Sequence, residues 1–463
     1  MDDSYKISQS YLPKTNILVT KFESPDAAFE VRDFMPRYYD DKGKLHTPLV
    51  IIRYMALLKG IPKFKVKYDP KIGYAKEKTI SRIKDGYIKS HTVEGLYDSV
   101  YLYSGFDYES ILNGAELTLT EDAFFVLSYY EKILEQSIDR CFLQLQRTHA
   151  YWLNWSEKTT NYKFYNKEIR RSALVLKLLT YQKSGAVLAA ATTSLPETIG
   201  EIRNWDYRFC WIRDASMVLK VLFDLGHIDS AQKFMNFIIH TVPLKGDKMQ
   251  IMYGINGETK LTEYTLDHLS GYENSRPVRI GNAAYLQKQN DIFGILTEII
   301  LQQFLHFKNT LEHSEELWMI ITQIVYVVEE NWMKPDKVIW EHRAEDRHFT
   351  FSKLLCWVAV DRAIKVAGLI HKTSPIPQWE ALRDEIYHDL YQRGWNEKVG
   401  AYTQSYDSED FDASVLLIED YGFISADDPR YISTVNAIEK ELCVDGLMYR
   451  YKNRDDFGLP SSS

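Results

Sequence analysis

The 463-residue chain has little cysteine: its four cysteines lie far apart and form no CxxC pair. A small secreted scaffold held by disulfides needs a denser set, and a structural zinc site needs closely spaced pairs. The sequence therefore excludes both classes and predicts reduced thiols, three of them inside apolar helical patterns. The cysteines are Cys141, Cys210, Cys356 and Cys443.

Long apolar runs and an excess of positive charge are also missing. No apolar run reaches the roughly 18 residues that cross a bilayer, and the N-terminal MDDSYKISQSYLPKTN has no basic stretch followed by an apolar core. Lys and Arg total 56 against 64 Asp and Glu, a net charge of −8 with no basic patch. We therefore expect a soluble, cytoplasmic protein that binds neither membranes nor nucleic acid. The sequence leaves open whether it forms a homo-oligomer.

The composition itself is that of an ordinary globular protein, with 45% hydrophobic and 26% charged residues. At this length about two or three domains are expected. Aromatic residues make up 14% of the chain, which is high. Aromatic rings stack on the flat faces of sugars or bases, and they also fill cores. Composition alone does not separate these two uses.

The spacing of apolar residues changes along the chain and predicts three regions. Residues 1–131 alternate with period two between turn residues, which predicts an antiparallel β-sandwich; Lys63–Tyr68 is the clearest strand, with lysines on one face. Helical spacing over residues 132–168 predicts a linker helix region. Residues 169–463 read as successive helices separated by long loops, which suits a ring of helical hairpins. Loops of that length in a compact helical domain are usually functional.

Two of these loops concentrate polar and aromatic residues. The segment Arg203–Asp214 holds three Arg, two Asp and four aromatic residues within twelve positions. An Arg beside an Asp offers donors and acceptors to hydroxyl groups, and a nearby Trp covers a ring face; a network at a helix start explains the same pattern equally well. The second segment, Gly271–Asn282, contains Arg276, and a Gly/Pro-bounded loop accounts for it without any site.

Glu341 stands next to Trp340 in a third polar segment. A carboxyl group against an indole is partly desolvated, which raises its pKa and lets it act as a general acid near neutral pH. The alternative is an ion pair with Arg343, which would lower the pKa of Glu341 and make it a poor acid.

Taken together, these motifs resemble the bacterial and archaeal branch of glycoside hydrolase family 15, the glucoamylases and related trehalases. The resemblance runs nearly end to end. The matching stretches include Tyr11–Asn16, Asp33–Pro36, Ala189–Glu197, Arg203–Ser216, Gln250–Gly254, Ser275–Asn282, Ile339–Glu341, His348–Thr350, Gln404–Tyr406 and Asp412–Ser414.

The resemblance implies an α+β multidomain fold, an N-terminal antiparallel β-sandwich followed by an (α/α)6 barrel of the six-hairpin type. It also implies inverting hydrolysis of terminal α-glucosidic bonds in carbohydrate metabolism, glucoamylase-like, with an oligosaccharide or disaccharide substrate and no metal or organic cofactor. Glu341 matches the catalytic acid. The candidate substrate-binding residues are Tyr207, Trp211, Arg213, Asp214, Arg276, Trp340 and Arg343.

The sequence departs from the family pattern at both ends. The family's general base is a Glu expected just after Phe457–Pro460, at the head of the last barrel helix, and the chain ends at Ser463. The first sandwich strands are also expected before Tyr11. We therefore expect a chain truncated at both ends, its barrel lacking the last helix. Two alternatives follow: a trehalase of the same family, and a non-catalytic carbohydrate-binding protein or inactive fragment.

Overall fold

The computed structural model describes residues 5–94, 98–243, 249–307, 311–341 and 345–454. The chain divides into two compact units, Met1–Leu178 and Leu179–Ser463. Each unit has its own apolar core, and the two are described separately.

The first unit is built on an eight-stranded antiparallel sheet. The order across this sheet is β1-β2-β3-β6-β12-β10-β9-β8. Its strands are β1 Lys6–Tyr11, β2 Leu18–Glu23, β3 Ala28–Phe34, β6 Val50–Lys59, β8 Thr79–Lys84, β9 Tyr87–Thr92, β10 Ser99–Ser104 and β12 Ala123–Tyr129. The remaining elements are β4 Tyr38–Tyr39, β5 Leu45–His46, β7 Lys63–Lys65, β11 Glu116–Thr118 and the helices α1 Tyr108–Asn113, α2 Ile138–Glu157 and α3 Asn166–Leu178.

The period-two pattern places alternate side chains on the two faces of this sheet. Along the start of β6, Val50 and Ile52 are buried while Ile51 and Arg53 are exposed. Strand β7 pairs with β11, and Phe64 of β7 is buried in a cluster with residues of the large sheet such as Phe29 and Phe125. The lysines that flank Phe64 are exposed. The predicted antiparallel β region is therefore confirmed, with this small strand pair covering one face of the main sheet.

The second unit is made of helices that follow one another in pairs. Its helices are α4 Ile212–Asp224, α5 Ile228–Thr241, α6 Asp291–His306, α7 Leu311–Asn331, α8 Thr350–Leu369, α9 Ile376–Arg393 and α10 Pro429–Leu442. Helix α4 packs on α6 and α6 on α8, while α5, α7 and α9 each pack on the helix that precedes them. The helices α4, α6 and α8 therefore form an inner row and their successors an outer row, as a six-hairpin barrel requires.

Burial explains which helices are inner. Every residue of α8 from Thr350 to Ala363 is buried, and so is nearly all of α6 up to Leu301. A helix that is buried on all sides must be surrounded by other elements.

Short two-stranded pairs lie in the connecting loops. They are β13 Cys210–Trp211 with β14 Met252–Tyr253, β15 Tyr264–Thr265 with β16 Arg279–Ile280, β17 Trp395–Asn396 with β18 Ala401–Tyr402, and β19 Cys443–Val444 with β20 Leu447–Met448.

Gly294 allows α6 and α8 to approach closely. A Cβ atom at this position would lie 2.3 Å from the backbone oxygen of Leu355 and 2.7 Å from its Cδ1. We expect Gly294→Ala to lower the free energy of unfolding by about 1–3 kcal/mol, as overpacking of a tight core does, measured by denaturant titration. The control is Gly368→Ala near the end of α8, where a Cβ meets nothing within 4 Å. That change should be neutral or stabilising because Ala favours a helix; equal losses in the two variants would contradict the packing argument.

The four cysteines are all free, and three of them are buried. Across the part of the chain that the structure describes, no helix is both long and apolar enough to cross a membrane.

Candidate active site

The segment that ends at Asp214 leads directly into an inner helix. Strand β13 holds Trp211 in an antiparallel pair with β14, and α4 begins at the next residue. Arg213 and Asp214 therefore lie in the first turn of α4. Trp211 is fully buried, and the Arg213 side chain is 11% exposed. A strand that runs straight into a helix fixes these three neighbouring residues relative to the core.

The segment that carries Glu341 is anchored by two buried charged residues. Lys353, on the first turn of α8, donates from Nζ to the backbone oxygens of Trp332 and, at 2.8 Å, Lys334. Asp336 accepts the backbone N–H of Asn290 at 2.7 Å. Burial raises the pKa of Asp336 to about 7. These contacts fix residues 332–336 against the beginnings of α6 and α8.

Glu341 meets the first segment through Trp211 and Arg213. The indole Nε1 of Trp211 donates to Oε1 of Glu341 at 2.5 Å, and Nη2 of Arg213 lies 3.6 Å from the same oxygen. The backbone of Glu341 is left-handed, with φ at 59°. Both contacts fall on Oε1, so Oε2 is the oxygen available to carry a transferable proton.

The Arg213 guanidinium lies among three carboxyl groups. Its Nε donates to Asp214 at 2.9 Å, its Nη1 lies 3.9 Å from Asp291, and its Nη2 lies 3.6 Å from Glu341. Nη1 also donates to Oε1 of Gln289 at 3.2 Å and to the backbone oxygen of Ile339 at 3.0 Å. Burial disfavours the charged guanidinium, but the surrounding carboxylates outweigh it and raise the pKa of Arg213. The guanidinium therefore stays charged and fixed.

The pKa of Glu341 is raised from its ordinary value, chiefly because the carboxyl group is buried. Arg213 and the Trp211 hydrogen bond oppose this rise, whereas the negative charges of Asp214 and Asp291 add to it. A carboxyl group with a raised pKa remains protonated closer to neutral pH and can donate its proton. The alternative, an ion pair with Arg343, involves a residue outside the described ranges.

Trp340 is held by a second buried carboxylate. Its Nε1 donates to Oδ2 of Asp412 at 2.8 Å, and Nε2 of Gln404 donates to the same oxygen at 3.0 Å. The other oxygen, Oδ1, accepts from the backbone and hydroxyl of Ser414. The Trp340 ring lies 6.2 Å from that of Tyr451. Asp412 therefore fixes the residue that precedes Glu341.

The remaining predicted site residues fall into three groups. Tyr207 joins the cluster formed by Trp211, Arg213, Asp214 and Glu341, since its ring lies 5.9 Å from that of Trp211. Burial raises the pKa of Tyr207. Arg276 is exposed, and no contact links it to the cluster within the described residues. Arg343 lies outside the described residues, as does the stretch after Arg454 in which the base was expected.

Sequence reasoning assigned no role to several residues of this cluster. Gln404 and Asp412 stood in the motifs that carried the resemblance, so a signal for them existed. Asp291 and Gln289 lie in the region predicted as successive helices, and nothing in the sequence marks them. Among the described residues, no group of three or more His, Cys, Asp or Glu side chains is placed to hold a metal ion.

Comparisons with known proteins identify the family of this chain. The family model described as "Glycosyl hydrolases family 15" matches residues 163–459. The chain belongs to glycosyl hydrolases family 15. This family region contains both segments that meet at Glu341, and membership confirms the predicted fold class.

Named relatives of this family 15 chain match almost its whole length. It is 33% identical over 461 residues to a trehalase of Thermoplasma acidophilum, covering 98% of this chain and 77% of that protein. It is 34% identical over 479 residues to a trehalase of Mycobacterium tuberculosis, covering 98% of this chain and 70% of that protein. A solved wild-type glycosidase superposes with a TM-score of 0.48 at 15% identity, over 61% of this chain and 71% of that one.

Proposed function

We propose that this family 15 glycosidase is a trehalase, which hydrolyses the bond between the two glucose units of α,α-trehalose with inversion. The observation that carries the hydrolytic role is the Trp211–Glu341 contact at 2.5 Å beside Arg213. The disaccharide specificity is supported by relatives named trehalase at 33–34% identity over nearly the whole chain. These names favour trehalase over the glucoamylase-like specificity that the resemblance first suggested.

In the proposed reaction, Glu341 is the general acid. Its proton passes to the glycosidic oxygen as the bond from that oxygen to C1 breaks, and the departing glucose leaves as a neutral alcohol. A water molecule adds its oxygen to C1 from the opposite face and gives one of its two protons to a carboxylate base. By the family resemblance this base is a Glu expected just after Phe457–Pro460, where the 463-residue sequence has three serines.

Arg213 and Asp214 serve this reaction by binding the sugar. Asp214 is 39% exposed, so its carboxylate is partly open to hydroxyl groups, while Arg213 holds it at 2.9 Å. Charge-assisted hydrogen bonds of this kind are about twice as strong as neutral ones. The pair therefore recognises a hexose by its outer hydroxyl groups and does not need the second sugar.

The test compares hydrolysis of trehalose, maltose and a maltooligosaccharide by the purified protein, with the released anomers followed by NMR. We expect trehalose to be the best substrate and each molecule to give one α-glucose and one β-glucose. Faster hydrolysis of maltooligosaccharides would replace trehalase with glucoamylase. Release of α-glucose alone from trehalose would indicate retention and overturn the inverting mechanism. Calorimetric binding of glucose without turnover of any substrate would support a carbohydrate-binding protein instead.

A further inference from the structure

Asp291 is a fully buried carboxylate that lacks the hydrogen bonds such a group normally has. It is the first residue of α6, and its side chain is 1% exposed. Among the described residues no side chain donates a hydrogen bond to either of its carboxylate oxygens, and only the backbone N–H groups of Asp291 and Ile292 stabilise it in this way. Burying an ionised carboxylate without compensation is costly. Its position therefore needs an explanation beyond the packing of α6.

The charge of Arg213 supplies that explanation. The Asp291 carboxylate lies 3.9 Å from Nη1 of Arg213, while Nη2 of the same guanidinium faces Glu341 at 3.6 Å. Nη1 and Nη2 are the two terminal nitrogens of one rigid planar group. A negative charge at Nη1 therefore fixes how Nη2 is presented to Glu341, and it offsets part of the positive charge that Glu341 experiences.

We propose that Asp291 is a positioning residue for Glu341: its buried carboxylate holds and partly neutralises Arg213, and so sets how the guanidinium is presented to the Glu341 carboxyl group. The inference rests on the proposed function only for the role of Glu341 as acid. It assigns Asp291 no contact with the sugar. It also accounts for the lack of a side-chain donor to Asp291 among the described residues, because the carboxylate acts on Arg213 by charge at 3.9 Å and not by a hydrogen bond.

The groups around Asp291 determine the pH range in which it acts. Burial raises the pKa of Asp291 to about 6, and Arg213 opposes that rise. Asp291 is therefore ionised above about pH 6, where a general acid needs most help to keep its proton. Asp291 interacts electrostatically with six titratable groups. They are Arg213 and Asp214 on α4, Asp336 and Glu341 after α7, Cys356 on α8, and Tyr421.

The first test is the pH profile of kcat/KM for Asp291→Asn. Glu341 acts only when protonated, so activity falls as pH rises through its pKa. Asp291 raises that pKa; without its charge the pKa falls, and the alkaline limb should move to lower pH by about 1 unit. The matched control is Asp361→Asn, a buried aspartate of α8 whose partners are Arg362 and Lys365. An alkaline limb that stays in place in Asp291→Asn would overturn the proposal.

The second test needs no substrate, so it stands even if trehalose is not hydrolysed. Denaturant midpoints are compared for Arg213→Met, Asp291→Asn and the double variant. Arg213→Met leaves Asp291 buried without its cation, so the midpoint should fall, and adding Asp291→Asn should restore part of the loss. Strictly additive midpoint changes would show that the two residues are not coupled and would refute the inference. Asp291→Ser, which is smaller and neutral, replaces Asp291→Asn in both tests if that variant does not fold.

Discussion

Replacing Glu341 with Gln is expected to lower kcat on trehalose by about two to four orders of magnitude, while the affinity for glucose changes little. Gln has nearly the same size, and its side-chain oxygen can still accept the Trp211 N–H that Glu341 accepts at 2.5 Å. It has no acidic proton to give to the glycosidic oxygen. Steady-state kinetics measures the loss of turnover, and titration calorimetry with glucose checks that the site is intact.

Two comparisons separate loss of acid catalysis from damage to the fold. Glu345→Gln changes an exposed glutamate four positions further along and should leave kcat unchanged. An aryl α-glucoside with a nitrophenol leaving group needs little protonation, so Glu341→Gln should lose much less activity on it than on trehalose. Near-normal turnover of trehalose by Glu341→Gln would remove Glu341 from the mechanism.

Replacing Lys353 with Met should destabilise the protein by about 3 kcal/mol. Met keeps most of the volume of the side chain but removes the ammonium group that binds the backbone oxygens of Trp332 and Lys334. Lys353 is 2% exposed, so water cannot readily replace those hydrogen bonds. The free energy of unfolding from chemical denaturation measures the effect. Activity should fall as well, because these carbonyls belong to the segment that leads to Glu341.

Lys365→Met is the matched control for this change. Lys365 lies on the same helix, but its side chain is 53% exposed and it pairs with Asp361 one turn away. Exposed pairs of this kind contribute at most about 1 kcal/mol. If the two variants lose the same stability, the buried contacts of Lys353 do not anchor the segment.

The fold could be predicted where one periodicity dominates a stretch. The clearest predicted strand, Lys63–Tyr68, contains β7, Lys63–Lys65, in which Phe64 is buried between two exposed lysines. The period-two burial pattern is weakest in strands β1 and β8. All six residues of β1 are exposed and none of β8 is fully buried, so neither has an apolar face for the sequence to display.

The site could be predicted only where its residues are close in sequence. Trp211, Arg213 and Asp214 are near neighbours, and their residue types alone suggested recognition of hydroxyl groups. The approach of Glu341 to Trp211 joins positions 130 residues apart. That approach depends on how α4, α6 and the segment after α7 pack, as does the position of Asp291 behind Arg213. No local pattern encodes these distances. The family resemblance predicted the acid role of Glu341, but it did not predict which residues contact its side chain.

The left-handed backbone at Glu341 places folding and catalysis in competition at a single codon. A non-glycine residue with φ near 59° costs roughly 1–2 kcal/mol, and glycine relieves that cost. A library randomised at position 341 and sorted only for folded yield should therefore enrich glycine, with asparagine next. The same library sorted for sugar turnover should return glutamate. Directed evolution of a more heat-resistant form must hold this codon fixed, because selection for stability alone favours replacing the proposed acid.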